Sequence, residues 1–533
     1  MKYHHLAAIL LFFFFFSFPA AAQRNVILII ADDLGSDYCG FYENHLDTVK
    51  LPNIRKLLLK GVRFRNAWSN PLCSPTRAGI LTGRYSFRTG VGNAVGGTGS
   101  AVLDTSEKTI PRLLKEWSLN QLTSANIGKW HLHLPMPSSN FSIPNKMGYD
   151  YFEGNFLGTL TSYTNWKKIK DGQNLTITNY ATTETANNAI SWVKSVPPTK
   201  PFFLWLAFNA PHTPYHLPPS NLHSYTTLSG TDADIATNPK DYFKAMAEAM
   251  DTEIGRLFDS LKVVNRFDST EIIFIGDNGN ESSVSQIQGG AKGSIYQEGI
   301  SVPFIISGPG VVQPNRASDA LVKTQDLFAT ILEMFENTNW PSQIPANKPV
   351  DSKSIIPILK NQTDIIRPWV FTEIFKVPTV SGDGKTMRNK QYKLLDFDNG
   401  TQKFYKIDTD PGENQDLLTG TLSAAQEQQY SELCSQMTNL VGIPRFCDLV
   451  TENPKEVRQS ETLVVPNPFR KSLRLQTGTE NKNEIMRLTD PLGTVIFEGS
   501  DLENQDFSRL AAGVYFLKPA TGSGKGMKVV KVD

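Results

Sequence analysis

The sequence predicts an α/β body, with a large mixed, mostly parallel sheet sandwiched by helices, followed by a small all-β sandwich. Three observations carry this. Apolar runs of strand length alternate with helical patterns from residue 24 onward. Two of those runs end abruptly in acidic or amide residues. From about Glu461 the pattern changes to short β-rich runs separated by turn signals.

The elements follow in order. Asn25–Ala31 is a continuous apolar run, as expected of a strand covered on both faces. A helix is predicted near Asn53–Lys60, a strand near Val62–Arg65 and a helix from Pro75, where proline suits the first turn. Phe202–Phe208 and Glu271–Ile275 read as further buried strands, and Tyr242–Leu261 as a long helix. At the C-terminal end the β-rich runs are Leu463–Val465, Leu473–Leu475, Glu484–Leu488, Thr494–Phe497, Val514–Leu517 and Met527–Val532. Asn467-Pro468, Asp490-Pro491-Leu492-Gly493 and Gly522-Ser523-Gly524 supply turns.

Composition narrows the class. The chain has 533 residues, 40% hydrophobic and 20% charged, which excludes wholesale disorder. Its net charge is +1, so no general attraction to nucleic acid or anionic membrane is expected. Four cysteines exclude a disulfide scaffold. Residues 1–22 read as a secretory signal peptide: Lys2, an apolar run from Leu6 to Phe18, then Pro19-Ala20-Ala21-Ala22 as an A-x-A cleavage site. The run is shorter than the roughly 20 residues of a spanning helix, and no transmembrane segment is expected elsewhere. Residues 451–462 read as a polar linker.

In open α/β sheets the active site lies beyond the carboxyl ends of the strands. Val26–Ala31 ends in Asp32-Asp33, and Ile272–Gly276 ends in Asp277-Asn278. Three carboxylates and an amide oxygen make a hard-oxygen site suited to Ca²⁺, with Mg²⁺ as the alternative. Either strand end alone could equally be a cap or turn; together they favour a metal.

Local motifs then add chemistry. Cys73-Ser74-Pro75-Thr76-Arg77, with Thr82-Gly83-Arg84 behind it, matches the type I sulfatase signature. Gly128-Lys129-Trp130-His131-Leu132, Ala210-Pro211-His212-Thr213-Pro214, Gly276-Asp277-Asn278-Gly279 and Lys292-Gly293 follow in family order. Residues 24 to about 450 thus resemble the formylglycine-dependent sulfatases of the alkaline-phosphatase superfamily. Phe404–Asp408 with Asp410-Pro411 resembles that family's smaller α+β C-terminal subdomain. The resemblance implies a catalytic domain over 23–335 and a subdomain over 336–450.

What the resemblance implies for the site is specific. Cys73 would be converted to formylglycine (3-oxoalanine) by a formylglycine-generating or anaerobic sulfatase-maturing enzyme. The hydrated aldehyde offers one oxygen to attack sulfur and a second to expel sulfate, an exit that a thiol lacks. Asp32, Asp33, Asp277, Asn278 and the modified residue 73 would hold the metal. Arg77 would hold the diol oxygen or the metal-bound carboxylates, and Lys129 and Lys292 the sulfate oxygens. His131 resembles the base that deprotonates the second hydroxyl, and His212 the residue that protonates the leaving group with Lys292. The substrate would be a sulfated carbohydrate or an aryl sulfate.

Two positions depart from the family pattern. His133 stands where glycine is usual, and either reaches a substrate subsite or packs. Ser301 replaces the arginine of the Glu-Gly-Gly-x-Arg-Val-Pro block. Ser162 is a weak candidate for a further sulfate-supporting serine. Loops Gly90–Ala101, His133–Pro144 and His216–Pro239 are expected to frame the pocket. Cys434 and Cys447 can pair, leaving Cys39 as a buried thiol.

The C-terminal blocks Val465–Phe469, Asp490–Gly493 and Leu510–Leu517 resemble a type IX secretion sorting domain, placed at 463–533. With the signal peptide it implies passage through the Sec and type IX machinery, and a secreted or cell-surface location after periplasmic transit. Two alternatives to a sulfatase remain on the sequence: a formylglycine-dependent phosphonate or phosphodiester hydrolase, and a catalytically dead glycan-binding homologue.

Overall fold

A computed structural model describes residues 24–42, 45–286, 290–380, 382–442, 463–465, 469–476, 485–490, 494–520 and 527–532. The signal peptide, the linker 451–462, Cys447 and the predicted turns at 467–468, 491–493 and 522–524 lie outside these residues. The chain divides near residue 448 into two compact units.

The first unit is built on ten strands: β1 (Asn25–Ala31), β2 (Gly61–Trp68), β3 (Thr123–Gly128), β4 (Tyr151–Gly154), β5 (Trp166–Lys170), β6 (Gln173–Ile177), β7 (Phe202–Ala207), β8 (Thr270–Gly276), β9 (Phe304–Ser307) and β10 (Arg316–Lys323). Their order is β10-β2-β9-β8-β1-β7-β3-β4-β5-β6. The centre is parallel: β8, β1, β7, β3 and β4 run the same way, while β9, β5 and β6 pair antiparallel to their neighbours.

The apolar runs split by alternation between two cores. Ile27 and Ile29 of β1 face the helices Ala181–Ser195 and Pro239–Val263, which bring Ala186, Val193, Met250 and Leu257. Val26, Leu28 and Ile30 face the opposite core with Ala78, Ile80, Leu113, Phe328 and Ile331. Burial on both faces explains why β1 and β8 read as unbroken apolar runs.

A four-stranded antiparallel sheet follows in the same unit: β11 (Val370–Ile374), β12 (Gly384–Arg388), β13 (Lys393–Phe397) and β14 (Gln402–Tyr405). The helix Ala424–Val441 accompanies it, opened by a Ser423/Gln426 capping box and closed by Gly442 in the left-handed conformation. Cys434, on that helix, is disulfide-bonded, whereas Cys39 and Cys73 are free and buried.

The second unit holds β15 (Leu463–Val465) paired with β16 (Arg474–Gln476). It also holds β17 (Met486–Thr489), β18 (Val495–Gly499), β19 (Gly513–Pro519) and β20 (Met527–Lys531) in the order β18-β17-β19-β20. Phe469, Leu488, Leu502, Phe507 and Leu517 form its core. The pairings between these strands are antiparallel, and an isolated parallel bridge joins Phe469 to Lys531. Among the described residues no helix is long and apolar enough to cross a membrane.

Candidate active site

The register of β1 against β8 pairs Ala31 with Gly276, so the two strand ends deliver Asp32 and Asp277 side by side. Asp33 turns back through a left-handed backbone (φ 66°), an uncommon conformation for a side chain larger than glycine. Its N–H donates to Asp277 Oδ1 at 3.1 Å, and Asn278 Nδ2 donates to Asp33 Oδ1 at 2.7 Å. Asp32, Asp33, Asp277 and Asn278 are all buried.

The helix Cys73–Thr82 places Cys73 at its first position, two residues earlier than the Pro75 start read from sequence. Arg77, one turn on, shares the face of Cys73. Its Nε and Nη2 donate to Asp277 Oδ2 at 3.1 and 2.7 Å, and Nη1 donates to the Lys129 carbonyl at 2.9 Å. Arg77 thus holds the Asp277 carboxylate.

Lys129 and His131 follow the end of β3. Gly128 closes the strand at φ 100°, where a Cβ would lie 1.9 Å from the Ala207 carbonyl. The segment is not extended beyond it, and His131 has φ 50°. Lys129 and His131 nevertheless both reach the site, by this bend rather than by strand alternation. Lys129 Nζ donates to Asp32 Oδ2. His131 Nε2 lies 2.9 Å from the Val95 carbonyl, which can only accept, so Nε2 carries the ring proton. Nδ1 is thereby left as a base 3.1 Å from Cys73 Sγ.

His212 is set the opposite way. Its Nδ1–H donates to the Thr213 carbonyl at 2.8 Å, and Nε2 stands 3.5 Å from Asp33 Oδ2. Lys292 Nζ donates to that same oxygen at 2.7 Å and to Glu281 Oε1 at 3.0 Å.

Burial dominates the titration of these groups. It pushes the Cys73 thiol up despite Lys129 and Lys292, so an unmodified thiol here is a protonated, weak nucleophile. Burial raises Asp32 well above the usual range; Lys129 pulls against it, while Asp277 and Asp33 add to it. Burial would raise Asp33 too, but His212, Lys292 and Lys129 outweigh it and hold the carboxyl at about 2. Burial lowers His131 well below its ordinary value and His212 to about 4.

Asp32, Asp33 and His212 each offer a donor atom within 4.8 Å of the others. Asp32 Oδ1 and Asn278 Oδ1 are buried without a hydrogen-bond partner. Orphaned, fully desolvated oxygens beside crowded carboxylates fit a hard divalent cation. His212, read from sequence as a leaving-group residue, therefore also stands at the edge of that cluster.

Sequence reasoning missed several supports. Ser74 Oγ donates to the His131 carbonyl at 2.7 Å and accepts from the Val95 N–H at 2.9 Å, so it fastens the 90–101 loop to the histidine. A Cβ on Gly158 would fall 2.3 Å from His131 Cε1. Tyr163 donates to the carbonyls of Asn209 and His212, both at 2.7 Å. Glu281 was likewise unread. None of these had a motif of its own; only Ser74 lay inside one.

The departures resolve as packing. His133 is buried, stacked on Trp130 and accepting from its Nε1, so it does not follow His131 toward a subsite. Ser301 Oγ pairs with Ser36 Oγ at 2.9 Å. Ser162 bonds Thr164, not the site.

The mixed sheet with acid-tipped central strands, a cysteine at a helix start and facing lysines and histidines defines a class. This chain belongs to the sulfatase family, whose model matches residues 24–337; the model of the N-sulphoglucosamine sulphohydrolase C-terminal region matches residues 291–441. It is similar to mouse arylsulfatase J, 27% identical over 333 residues covering 58% of this chain and 52% of that protein, so it spans about half the length of that relative. Klebsiella aerogenes arylsulfatase is 24% identical over 444 residues, covering 64% of this chain and 92% of the relative. Among solved structures, Ps i-CgsB in complex with k-i-k-neocarrahexaose matches with a TM-score of 0.64 at 26% identity, over 79% of this chain and 93% of that one.

Proposed function

We propose that the protein hydrolyses sulfate esters of carbohydrates, using formylglycine made from Cys73 and one bound Ca²⁺. The observation that carries this reading is the pairing of the buried Cys73 with the unprotonated His131 Nδ1 at 3.1 Å, beside the acidic cluster. The carbohydrate is supported by the oligosaccharide complex of the 26% identical structure.

Asp32, Asp33, Asp277 and Asn278 would hold the cation, which when bound polarises a sulfate oxygen and favours the ionised nucleophile. An aldehyde hydrate made at position 73 would supply the attacking oxygen and the exit for sulfate. The chain's own residues do the rest. His131, held by Val95 and Ser74, accepts a proton from the group at 73. Arg77 keeps Asp277 in place and blocks its rotation. Lys129 and Lys292 present fixed positive charge where the transition state gathers negative charge on sulfate oxygens. His212 directs Nε2 toward the leaving-group side, and the ammonium of Lys292, which shares Asp33 Oδ2 with it, is the group there that holds a proton for the departing oxygen. For export, residues 1–22 as signal and 463–533 as a type IX sorting domain remain our reading, supported by their motifs.

The test is sulfate release from a panel of sulfated mono- and oligosaccharides, with phosphodiesters as controls. Release from sulfate esters that is lost in Cys73→Ala supports the proposal. Turnover of phosphodiesters alone would overturn it.

A further inference from the structure

We propose that Glu281 is a specificity residue: it selects sulfate esters with a hydrogen-bond donor next to the sulfated oxygen and rejects those with a second anion there. This rests on the sulfatase reading above and deepens it.

The site's inner charges are matched. Asp32 meets Lys129, Asp277 meets Arg77, and Asp33 meets Lys292, each through a direct hydrogen bond between side chains with at most 9% exposure. Glu281 is the carboxylate left over in this set. Among the described residues its one ion pair is with Lys292, at 3.0 Å, shared with Asp33, which holds the same ammonium at 2.7 Å. It is also the open member, with 32% side-chain exposure.

Position gives this charge a consequence. Lys292 and His212 converge on Asp33 Oδ2, at 2.7 and 3.5 Å. On the roles proposed above for Lys292 and His212, this is the leaving-group side of the site. Glu281 is one hydrogen bond beyond Lys292 and more exposed than it, which places its carboxylate where atoms neighbouring the departing oxygen would approach. A carboxylate is acceptor-only and retains capacity after bonding one lysine. A hydroxyl or ammonium beside the sulfated carbon can donate to it. A neighbouring sulfate or carboxylate meets like charge, partly desolvated and with Lys292 already shared; specificity then comes from repulsion as much as attraction.

The experiment uses the full mature enzyme and methyl hexosides bearing one sulfate at each ring position, together with the same sugars carrying an adjacent second sulfate. Sulfate release gives kcat and KM separately. Wild type should favour the monosulfate over its disulfated partner by about tenfold or more in kcat/KM, as expected for like-charge exclusion. Glu281→Gln should collapse that ratio toward unity, chiefly through a lower KM for the disulfate, whatever it does to the monosulfate rate. Glu281→Asp, which keeps the charge, should restore the preference. A ratio unchanged in Glu281→Gln, in an enzyme that still releases sulfate, overturns the proposal and leaves the sulfatase reading standing. No release from any sugar by wild type overturns that reading, and this proposal with it.

Discussion

Arg77→Met should destabilise the first unit by about 3–5 kcal/mol, the range for breaking a buried ion pair by removing one partner. The magnitude follows from what is left behind. Arg77 makes two hydrogen bonds to Asp277 Oδ2 and one to the Lys129 carbonyl. Both side chains of the pair are fully buried. Methionine fills part of the volume but leaves the Asp277 carboxylate without its counter-charge. The assay is equilibrium urea unfolding with a chelator present, so that bound cation does not mask the loss. Asp277→Asn, made alone and with Arg77→Met, completes a double-mutant cycle. If the account is right, the double variant loses clearly less than the sum of the singles, because the neutral amide no longer needs the guanidinium. Additive losses, or a loss below about 1 kcal/mol for Arg77→Met, as for an exposed pair, would refute the reasoning.

Other outcomes are expected from the same geometry. Gly158→Ala drives a methyl into the His131 ring, 2.3 Å from Cε1; kcat should fall by about a hundredfold or more, as displacement of a general base costs, and a kcat within threefold of wild type would count against His131 as the base. Cation binding should stabilise the folded protein by about 2.7 kcal/mol at a hundredfold excess over Kd; a thermal midpoint indifferent to Ca²⁺ and to chelator would remove the metal site. Glu373 tests pH linkage away from the site. Burial raises its carboxyl from 4.5 to about 7, against Lys385 and the Phe87 N–H, and its Oε2 has no partner. Between those pH values only the folded chain keeps the proton, so stability falls as pH rises through this window, by about 3 kcal/mol at most. Glu373→Gln should flatten that part of the stability–pH profile; an unchanged profile would contradict the assignment.

Much of the fold was legible because β1 and β8 lie inside the sheet and must be apolar throughout. Their carboxyl ends are where polar residues can first reappear, so Asp32, Asp33, Asp277 and Asn278 announced themselves. The start of the helix that carries Cys73 was misjudged by two residues, since Pro75 suits a first turn but does not forbid an earlier one. The bend after Gly128 was hidden. Extended spacing put Lys129, His131 and His133 on one side, whereas the left-handed backbone at His131 turns His133 onto Trp130 instead. Ser74 and Gly158 act through neighbours far away in sequence, and Glu281 through a lysine eleven residues on in a loop; such contacts leave no periodic trace. The acceptor state of His131 Nδ1 depends on the Val95 carbonyl, a backbone group that carries no residue-type signal at all.

The most direct test of the account is mass spectrometry of the tryptic peptide Asn66 to Arg77 from enzyme made in its native host and shown to release sulfate. The account predicts an aldehyde at position 73, together with its hydrate. An intact Cys73 thiol throughout an active preparation would contradict it.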